Sequence, residues 1–337
     1  MGGSRLLASL MATIVMTAPC GSLAYTGNDL FRDDFDGQGS PDPGKWQCRD
    51  ETTHRDSGIT ELRGWPELHD GMATFAHHTY NPYCPGGKCL SREIFTTTKF
   101  SPGQALLFEA RVRLRPPMRS GLVAGFYVYS DKPKSSADPN LVSDEIDYEF
   151  LSNQVNDPYP VFLGHRVYVG AFHDFDGNWM DDSKHWWANP NVPKIILENR
   201  PQLELTEFNV FQMRWLGDRV EWYWQPADGG DPVLIYKTGN VLPDEPMAVY
   251  LNFWGADIWW PIAWDESLQP AVRWEADSVS YYDVDYVLVR EILPDDCEQV
   301  WALGMGLAMD FNRDCVVNLV DFAEFAVEWL ACNDPLY

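Results

Sequence analysis

Acidic residues occupy every second position in one short segment, where Glu145, Asp147 and Glu149 alternate with Ile146 and Tyr148. On a β-strand this alternation places the three carboxylates on one face and the two apolar side chains on the other. Neighbouring like charges repel one another and weaken a strand that has only a structural role. The segment therefore predicts a strand whose acidic face carries out chemistry.

Two glutamates at this spacing are suited to cleaving a glycosidic bond. The Cα atoms of Glu145 and Glu149 should lie roughly 13 Å apart along an extended strand. Side chains that lean inward over a concave face would bring the carboxyl groups to about 5–5.5 Å, the separation found in retaining glycosidases. Asp147 lies between them, where it would influence the protonation of one glutamate and the charge of the other.

Segments on both sides of the acids resemble glycoside hydrolase family 16. In chain order, the matching segments are residues 31–36 with 45–46, 108–112, 121–126, 208–215, 251–254 and 282–287. The resemblance implies that Glu145 is the nucleophile, that Asp147 assists it and that Glu149 is the acid/base. The alternative for the same three residues is a solvated acidic edge strand without a catalytic role.

The acid motif has one residue between successive acids, a form that resembles mixed-linkage glucanases and xyloglucan-active members of the family. Relatives acting on β-1,3-glucans, agars and carrageenans more often carry an extra residue that forms a bulge. We therefore expect a retaining endo-acting hydrolase of β-glucans, most simply of β-1,3-1,4-glucan. The alternatives are a transglycosylase on xyloglucan or another β-glucan, and a non-catalytic carbohydrate-binding sandwich.

Four tryptophans and one amide are the candidates for sugar binding. They are Asn252, Trp254, Trp259, Trp260 and Trp186. Asn252 and Trp254 lie in a segment that resembles a cleft-facing strand of the family, and the other three lie in tryptophan-rich segments. A place in the core is the alternative for each tryptophan, because buried Trp is common in sandwiches. No metal or organic cofactor is expected in the chemistry.

The chain of 337 residues is strongly acidic, with a formal net charge of −25. This charge disfavours nucleic acids and anionic membrane surfaces as partners, and mildly disfavours a sulfated or uronic polysaccharide. The partner implied by the family resemblance is a polysaccharide substrate, and the protein is expected to be a monomer.

Residues 1–24 have the pattern of a secretory signal. Arg5 supplies the positive start, an apolar stretch follows it, and residues 22–24 form a small-x-small cleavage site. No later segment approaches 18 consecutive apolar residues, so no membrane span is expected. The sequence thus predicts a secreted protein.

Residues 25–293 consist of short alternating or apolar runs separated by Gly, Pro, Asn and Asp. This pattern predicts an all-β sandwich, and the family resemblance implies a concanavalin-like β-jelly roll with a concave sheet. Residues 294–304 are expected to form a linker to a small helical appendage at residues 305–337.

Oxygen-bearing residues recur at alternate positions in the appendage. The predicted calcium ligands are the side chains of Asp310, Asn312, Asp314, Asn318 and Asp321 and the carbonyl group of Val316. Their spacing is that of a calcium loop, in which a tight turn presents hard oxygen donors to one cation. An amphipathic helix should follow, with one face formed by Phe322, Phe325, Ala326, Trp329 and Leu330.

The appendage resembles one repeat of a dockerin module, which implies docking to a cohesin-like partner. It departs from that pattern because a single loop is visible and because Cys315 occupies the sixth loop position, where glycine is usual. The alternative is a calcium-stabilised appendage without a docking partner.

Six cysteines follow the signal, in what should be an oxidising compartment. Cys84 and Cys89 flank a turn and could close a small loop. In the appendage, a helix of about 12 residues would separate Cys315 from Cys332 by roughly 18 Å, too far for a disulfide. Cys297 is therefore the better partner for either of them.

Overall fold

The computed structural model describes residues 27–50, 52–54, 57–103, 105–135, 139–155, 167–178, 183–188, 203–226 and 229–329. Within these ranges the regular secondary structure is almost entirely β-strand, which confirms the expected all-β sandwich. The predicted signal, Leu330 and Cys332 lie outside the described residues.

The strands are β1 Asp29–Asp33, β2 Trp46–Cys48, β3 Thr52–Thr53, β4 Thr60–Leu62, β5 Glu67–His69, β6 Met72–His78, β7 Cys89–Thr96, β8 Leu106–Arg115, β9 Leu122–Pro133, β10 Leu141–Leu151, β11 Tyr168–Phe175, β12 His185–Ala188, β13 Asn209–Trp215, β14 Val220–Gln225, β15 Val233–Thr238, β16 Ala248–Gly255 and β17 Val279–Glu291. The helices are α1 Ser152–Val155, α2 Cys297–Ala302 and α3 Leu319–Trp329, with a 3₁₀ turn at Trp274–Ala276. None of the described helices is both long and apolar enough to cross a membrane.

Most of the strands belong to two antiparallel sheets. The cleft sheet has the strand order β12-β11-β10-β9-β16-β7-β2. The outer sheet has the order β15-β14-β13-β8-β17, and β6 and β1 pair with successive halves of the far edge of β17. Strand β7 links the sheets, because Leu90 near its start pairs with β6 of the outer sheet and its later residues pair with β16 and β2 of the cleft sheet. Its first residues also pair in parallel with β4.

The core between the two sheets is built largely from aromatic rings. Phe150 of β10 lies 4.6 Å from Phe211 of β13, and Tyr148 lies 5.2 Å from the same ring, measured between ring centroids. Each such buried side chain contributes about 1.5–3 kcal/mol. Because a slip of one residue would expose these rings, the core determines which face of β10 points outward.

The segment 294–304, expected to be a linker, contains helix α2 and packs against the outer sheet. Leu303 is buried with Leu107, Leu216 and Ile292, and its carbonyl oxygen accepts a hydrogen bond of 3.1 Å from the amide of Gly217. The burial of Leu303 gives this segment a fixed place on the sandwich.

The cysteines follow the expectation in the appendage and depart from it in the sandwich. Cys297 and Cys315 form a disulfide, which confirms Cys297 as the partner. The suggested Cys84–Cys89 bridge is wrong, because both thiols are free, as is that of Cys48. Cys89 is buried at the start of β7, whereas Cys84 lies in the preceding turn and is half-buried.

Candidate active site

A cleft of about 940 Å³ runs across one face of the cleft sheet, and side chains from β7, β9, β10, β11 and β16 line it. Glu145, Asp147 and Glu149 all line this cleft. Between them, Ile146 and Tyr148 point the other way and are fully buried in the core. The alternation predicted from the sequence is therefore present, with the acids on the open face.

The acid strand has no bulge between its two glutamates. Strand β10 pairs with β9 in unbroken register along its whole length, so that Glu145 lies opposite Tyr129 and Glu149 opposite Gly125. The pairing with β11 is also continuous from Glu145 to Glu149, and its irregularity comes before Glu145. The acids therefore project in succession from a regular strand.

Strand β10 is also held from beneath, through hydrogen bonds that cross the sandwich. The indole N–H of Trp222 donates to the carbonyl oxygen of Asp147 at 2.9 Å. The hydroxyl of Tyr148 donates to the carbonyl oxygen of Tyr223 at 2.9 Å. Both donors come from core side chains, so the backbone that carries the three acids is fixed by the outer sheet as well as by its neighbours.

Asp147 is the most deeply buried of the three acids, with 7% of its surface exposed. It lies opposite Gly170 of β11, where a Cβ atom would come within 2.7 Å of a carboxylate oxygen. Glycine at position 170 therefore makes room for the carboxylate. Burial raises the pKa of Asp147 to about 7, because the charged form loses hydration. Near neutral pH this carboxyl group can thus hold a proton between the two glutamates.

Replacing Asp147 by Asn should stabilise the protein increasingly as the pH rises. With a pKa of about 7 in the folded protein and an ordinary value in the unfolded chain, Asp147 lowers the free energy of unfolding as pH rises from about 4 to 7. Asn carries no such penalty, so its advantage should grow by on the order of 2–4 kcal/mol over that window. Urea unfolding from pH 4 to 8 measures it. A difference between Asp147→Asn and the parent protein that stayed flat over this pH range would contradict the buried-acid interpretation.

Three of the predicted sugar-binding tryptophans form part of one stack of parallel rings. His54 stacks on Trp254 at 4.3 Å, Trp254 on Trp260 at 6.0 Å, and Trp260 on Trp259 at 6.4 Å. Trp254 is 3% exposed, whereas Trp259, at the end of the stack, is 55% exposed. Trp259 is therefore the most exposed ring of the stack, and Trp260 lies between it and Trp254; all three line the cleft.

Trp186 lies on β12 and pairs with Ala171, but its side chain lies outside what the structure describes. Asn252 lines the cleft and is buried. Its amide nitrogen donates to Glu93 at 3.2 Å and to the hydroxyl of Tyr127 at 3.2 Å, whereas its carbonyl oxygen has no hydrogen-bond partner among the described residues. The direct sugar contact expected from the sequence stays a prediction.

Several cleft residues were not identified from the sequence. Glu93 accepts hydrogen bonds from Arg49 at 2.8 Å and from Tyr127 at 2.8 Å. The rings of Tyr127, Tyr250 and Phe95 stack on one another at 5.0 and 4.9 Å. Alternation along β9 could have marked Tyr127 as facing the same side as the acids. Nothing local marks Glu93, because only its partners on distant strands show its role.

The predicted calcium ligands gather in one C-terminal loop. The carboxylate of Asp310 accepts hydrogen bonds from the amides of Asp314 at 3.1 Å and Cys315 at 2.8 Å. The carboxylate of Asp321 accepts one from the amide of Asn318 at 2.8 Å. Asn312 and Val316 belong to the same ring of contacts, because the side-chain amide of Asn312 and the backbone amide of Val316 both donate hydrogen bonds to the carboxylate of Asp314. The loop therefore closes on itself as the spacing predicts.

Cys315 takes the backbone conformation that glycine supplies in calcium loops, with a φ of 66°. Its disulfide to Cys297 ties this turn to α2. The departure from glycine at the sixth position is therefore compatible with the turn, although a side chain at positive φ costs some conformational energy.

The family model for glycosyl hydrolases family 16 matches residues 90–274, which is more than half of the chain and includes the acid strand. The chain belongs to glycosyl hydrolases family 16. The resemblance seen in the sequence is thus confirmed for the sandwich, and the family match ends before the appendage begins.

Curated relatives of this family-16 chain include plant proteins. Xyloglucan endotransglucosylase/hydrolase 1 of Glycine max is 25% identical over 190 residues, which are 52% of this chain and 52% of the relative. Xyloglucan endotransglucosylase protein 34 of Populus tremula x Populus tremuloides is 28% identical over 178 residues, 49% and 48% of the two chains. The chain therefore spans about half the length of the curated relatives it matches.

Solved structures show the same fold at low identity. A prokaryotic β-1,3-1,4-glucanase (lichenase) derived from a mouse hindgut metagenome aligns with a TM-score of 0.53 at 19% identity, covering 78% of this chain and 99% of that one. The catalytic domain of an endo-1,3-β-glucanase (laminarinase) from Thermotoga petrophila aligns with a TM-score of 0.55 at 18% identity, covering 80% and 100%. These likenesses confirm the jelly-roll sandwich expected from the sequence.

Proposed function

We propose that this protein is a secreted, retaining, endo-acting glycoside hydrolase of β-glucans, most simply of β-1,3-1,4-glucan. The observation that carries the proposal is the row of Glu145, Asp147 and Glu149 on the open face of a cleft. An unbroken register on both sides of the strand holds this row. Secretion rests on the signal pattern of residues 1–24.

In the proposed reaction, Glu149 gives its proton to the glycosidic oxygen while the carboxylate of Glu145 attacks the anomeric carbon. The leaving sugar departs with that proton, and a covalent glycosyl-enzyme remains on Glu145. Glu149, now a carboxylate, takes a proton from water, whose oxygen attacks the same carbon from the other side. The product keeps its configuration, and both glutamates return to their starting states.

Asp147 supports these steps from between the two glutamates. With its pKa raised to about 7 by burial, it can stay protonated beside a charged Glu145, and so limit the repulsion within the row.

The shape of the cleft supports an extended, weakly charged chain as substrate. The cleft crosses five strands, which gives it room for several sugar rings, and the exposed ring of Trp259 offers a stacking face. The choice of a glucan containing 1,4 linkages follows from the regular acid strand without a bulge and from the names of the similar proteins.

A transglycosylase acting on xyloglucan or another β-glucan is the second candidate, and the names of the curated relatives favour it. Such an enzyme would use the same glutamates and would differ in the last step, where a sugar hydroxyl replaces water as the attacking group. The two candidates therefore differ in the acceptor and share the glycosyl-enzyme.

Incubation with a panel of β-glucans tests the proposal. We expect release of reducing ends from mixed-linkage β-1,3-1,4-glucan, and no release by Glu145→Gln, which keeps the size of the side chain. Addition of a xyloglucan oligosaccharide acceptor should leave the product sizes unchanged for a hydrolase and should shift them for a transglycosylase. Binding of these glucans by the parent protein with neither release of reducing ends nor a shift in product sizes would instead indicate a non-catalytic sandwich.

The C-terminal loop is proposed to bind calcium, with Asp310, Asn312, Asp314, Asn318 and Asp321 and the carbonyl of Val316 as its oxygen donors. Its ring of inward-turned carboxylates and the turn at Cys315 support this. The ion would have a structural role and take no part in the reaction. Docking to a cohesin-like protein is a further proposal, which rests on the resemblance to a dockerin repeat alone.

Calcium should stabilise the appendage and hardly change catalysis. Chelator should speed proteolytic cleavage beyond residue 305, because an ion that binds only the folded loop stabilises it by mass action. Asp310→Ala should remove the protection by calcium, whereas Glu324→Ala, at an exposed position of α3, should keep it. A chain ending at residue 305 retains the buried Leu303 and should hydrolyse glucan at nearly the full rate. The loop assignment would be abandoned if calcium gave the parent protein no protection.

A further inference from the structure

Asp144 immediately precedes the proposed nucleophile and plays no part in the proposed chemistry. Its side chain is 1% exposed. We infer that Asp144 is a positioning residue that shapes the cleft wall beside Glu145 and thereby sets the affinity for the sugar bound there. This inference rests on the proposed function.

The carboxylate of Asp144 joins two segments that are distant in the sequence. One oxygen accepts a hydrogen bond of 2.8 Å from the amide of Asp174, at the end of β11. The other oxygen accepts hydrogen bonds from the amides of Asp244 at 2.8 Å and Glu245 at 3.0 Å, in the turn before β16. A buried carboxylate is costly unless it is fully hydrogen-bonded, and three backbone N–H groups meet that need.

The hydrogen bond to Asp174 lies at the one irregularity in the pairing of β10 with β11. Ser143 pairs with Phe175 and Glu145 pairs with Phe172, so two steps along β10 match three steps along β11. The extra residue forms a bulge, and Asp174 within it has a positive φ of 47°. Asp144 is the residue of β10 that faces this bulge and binds its backbone.

The bulge determines how two aromatic side chains enter the cleft. Phe172 and Phe175 both line the cleft, and their ring centroids lie 5.2 Å apart. In a regular strand, residues three positions apart point to opposite faces. Because the bulge adds one residue between them, Phe172 and Phe175 point to the same face of the sheet. Together they form an aromatic wall next to Glu145. Such a wall offers apolar contact to a sugar ring.

A lysine reinforces the same junction from the solvent side. Lys132 of β9 forms ion pairs with Asp174 at 3.0 Å and with Glu245 at 2.8 Å. The ammonium group balances the acidic residues that surround Asp144, so the cluster works as a clamp between β9, β11 and the turn before β16.

Loss of the clamp should displace the aromatic wall of Phe172 and Phe175 and leave Glu145 and Glu149 in place. Strand β10 pairs with β9 without interruption from Leu141 to Leu151, and the core bonds of Trp222 and Tyr148 hold it from below. Glu145 and Glu149 therefore keep their places when the β11 side loosens. The expected effect is weaker binding of the sugar chain with nearly unchanged chemistry.

Asp144→Asn tests the inference, because the amide group keeps the size of the side chain but turns N–H groups toward a backbone donor. On mixed-linkage glucan oligosaccharides, KM should rise about tenfold, the scale of one lost ring contact, while kcat should stay within about threefold. Phe172→Ala should raise KM similarly. The double variant should resemble Phe172→Ala alone, because Asp144 acts through that wall.

Asp277→Asn is the matched control. Asp277 likewise accepts a backbone hydrogen bond, from the amide of Tyr80 at 2.8 Å, and it does not line the cleft. Its variant should lose thermal stability without changing KM. An equal rise in KM for Asp277→Asn, a fall in kcat alone for Asp144→Asn, or additive effects of Asp144→Asn and Phe172→Ala would each overturn the inference. A parent protein that cleaves no glucan would contradict the proposed function itself.

Discussion

Replacing Glu145 by Ala should lower the hydrolysis of β-glucan by at least four orders of magnitude, which corresponds to about 5.5 kcal/mol of lost transition-state stabilisation. The reason is that the proposed covalent glycosyl-enzyme forms on the carboxylate of Glu145. Added azide should restore turnover on an activated aryl β-glycoside, because a small anion fits the space left by the carboxylate. The product should be the glycosyl azide of inverted configuration, since a single displacement replaces two. Nuclear magnetic resonance of the product identifies its stereochemistry.

Glu145→Gln provides the control for folding in this experiment. It keeps the side-chain size at a half-buried cleft position, so its thermal unfolding should match that of the parent protein while its activity is lost. A fully active Glu145→Ala variant would show that the nucleophile is misassigned. An azide product with retained configuration would contradict the double-displacement mechanism.

Replacing Glu149 by Ala should have an effect that depends on the leaving group. Hydrolysis of polysaccharide should fall by about two to four orders of magnitude, the usual contribution of a general acid. An aryl glycoside with a good leaving group needs no proton in the first step, so its glycosyl-enzyme should still form at nearly the parent rate. Rapid-quench measurement of the initial burst of released phenol checks this, because the second step should then be slow.

A surface glutamate serves as the matched control for Glu149. Glu67→Ala removes a carboxylate from an exposed position of β5 and should leave both substrates unaffected. If the Glu149→Ala variant lost polysaccharide and aryl glycoside activity to the same extent, the acid/base role would have to pass to another group.

The acid strand shows how much the sequence alone determined. Alternation alone predicts which way each side chain points, because successive side chains of a strand lie on opposite faces. The alternating residues are Glu145, Ile146, Asp147, Tyr148 and Glu149. The core confirms this prediction, since Ile146 and Tyr148 are fully buried and the acids line the cleft. The turn-forming spacing of residues 310–321 is local in the same sense, and the loop closes where the pattern predicts it.

Other features depend on partners that are distant in the chain. Trp254 was predicted to bind sugar, and it does line the cleft, but the fold stacks it between His54 and Trp260 and leaves only 3% of it exposed. The raised pKa of Asp147 comes from burial by the neighbouring strands, and the room for its carboxylate comes from glycine at position 170. No local pattern contains these facts, because each results from the register between strands.

The region around Asp144 shows both kinds of feature, local and long-range, within a single segment. The sequence identifies Glu145 by its place in an alternating row, yet the adjacent Asp144 looks like one more acid. Only the tertiary structure brings the amides of Asp174, Asp244 and Glu245 to its carboxylate. Local periodicity determines which way a side chain points, because it follows from backbone geometry. What that side chain meets depends on how distant strands and turns pack together, and this is decided only when the sandwich closes.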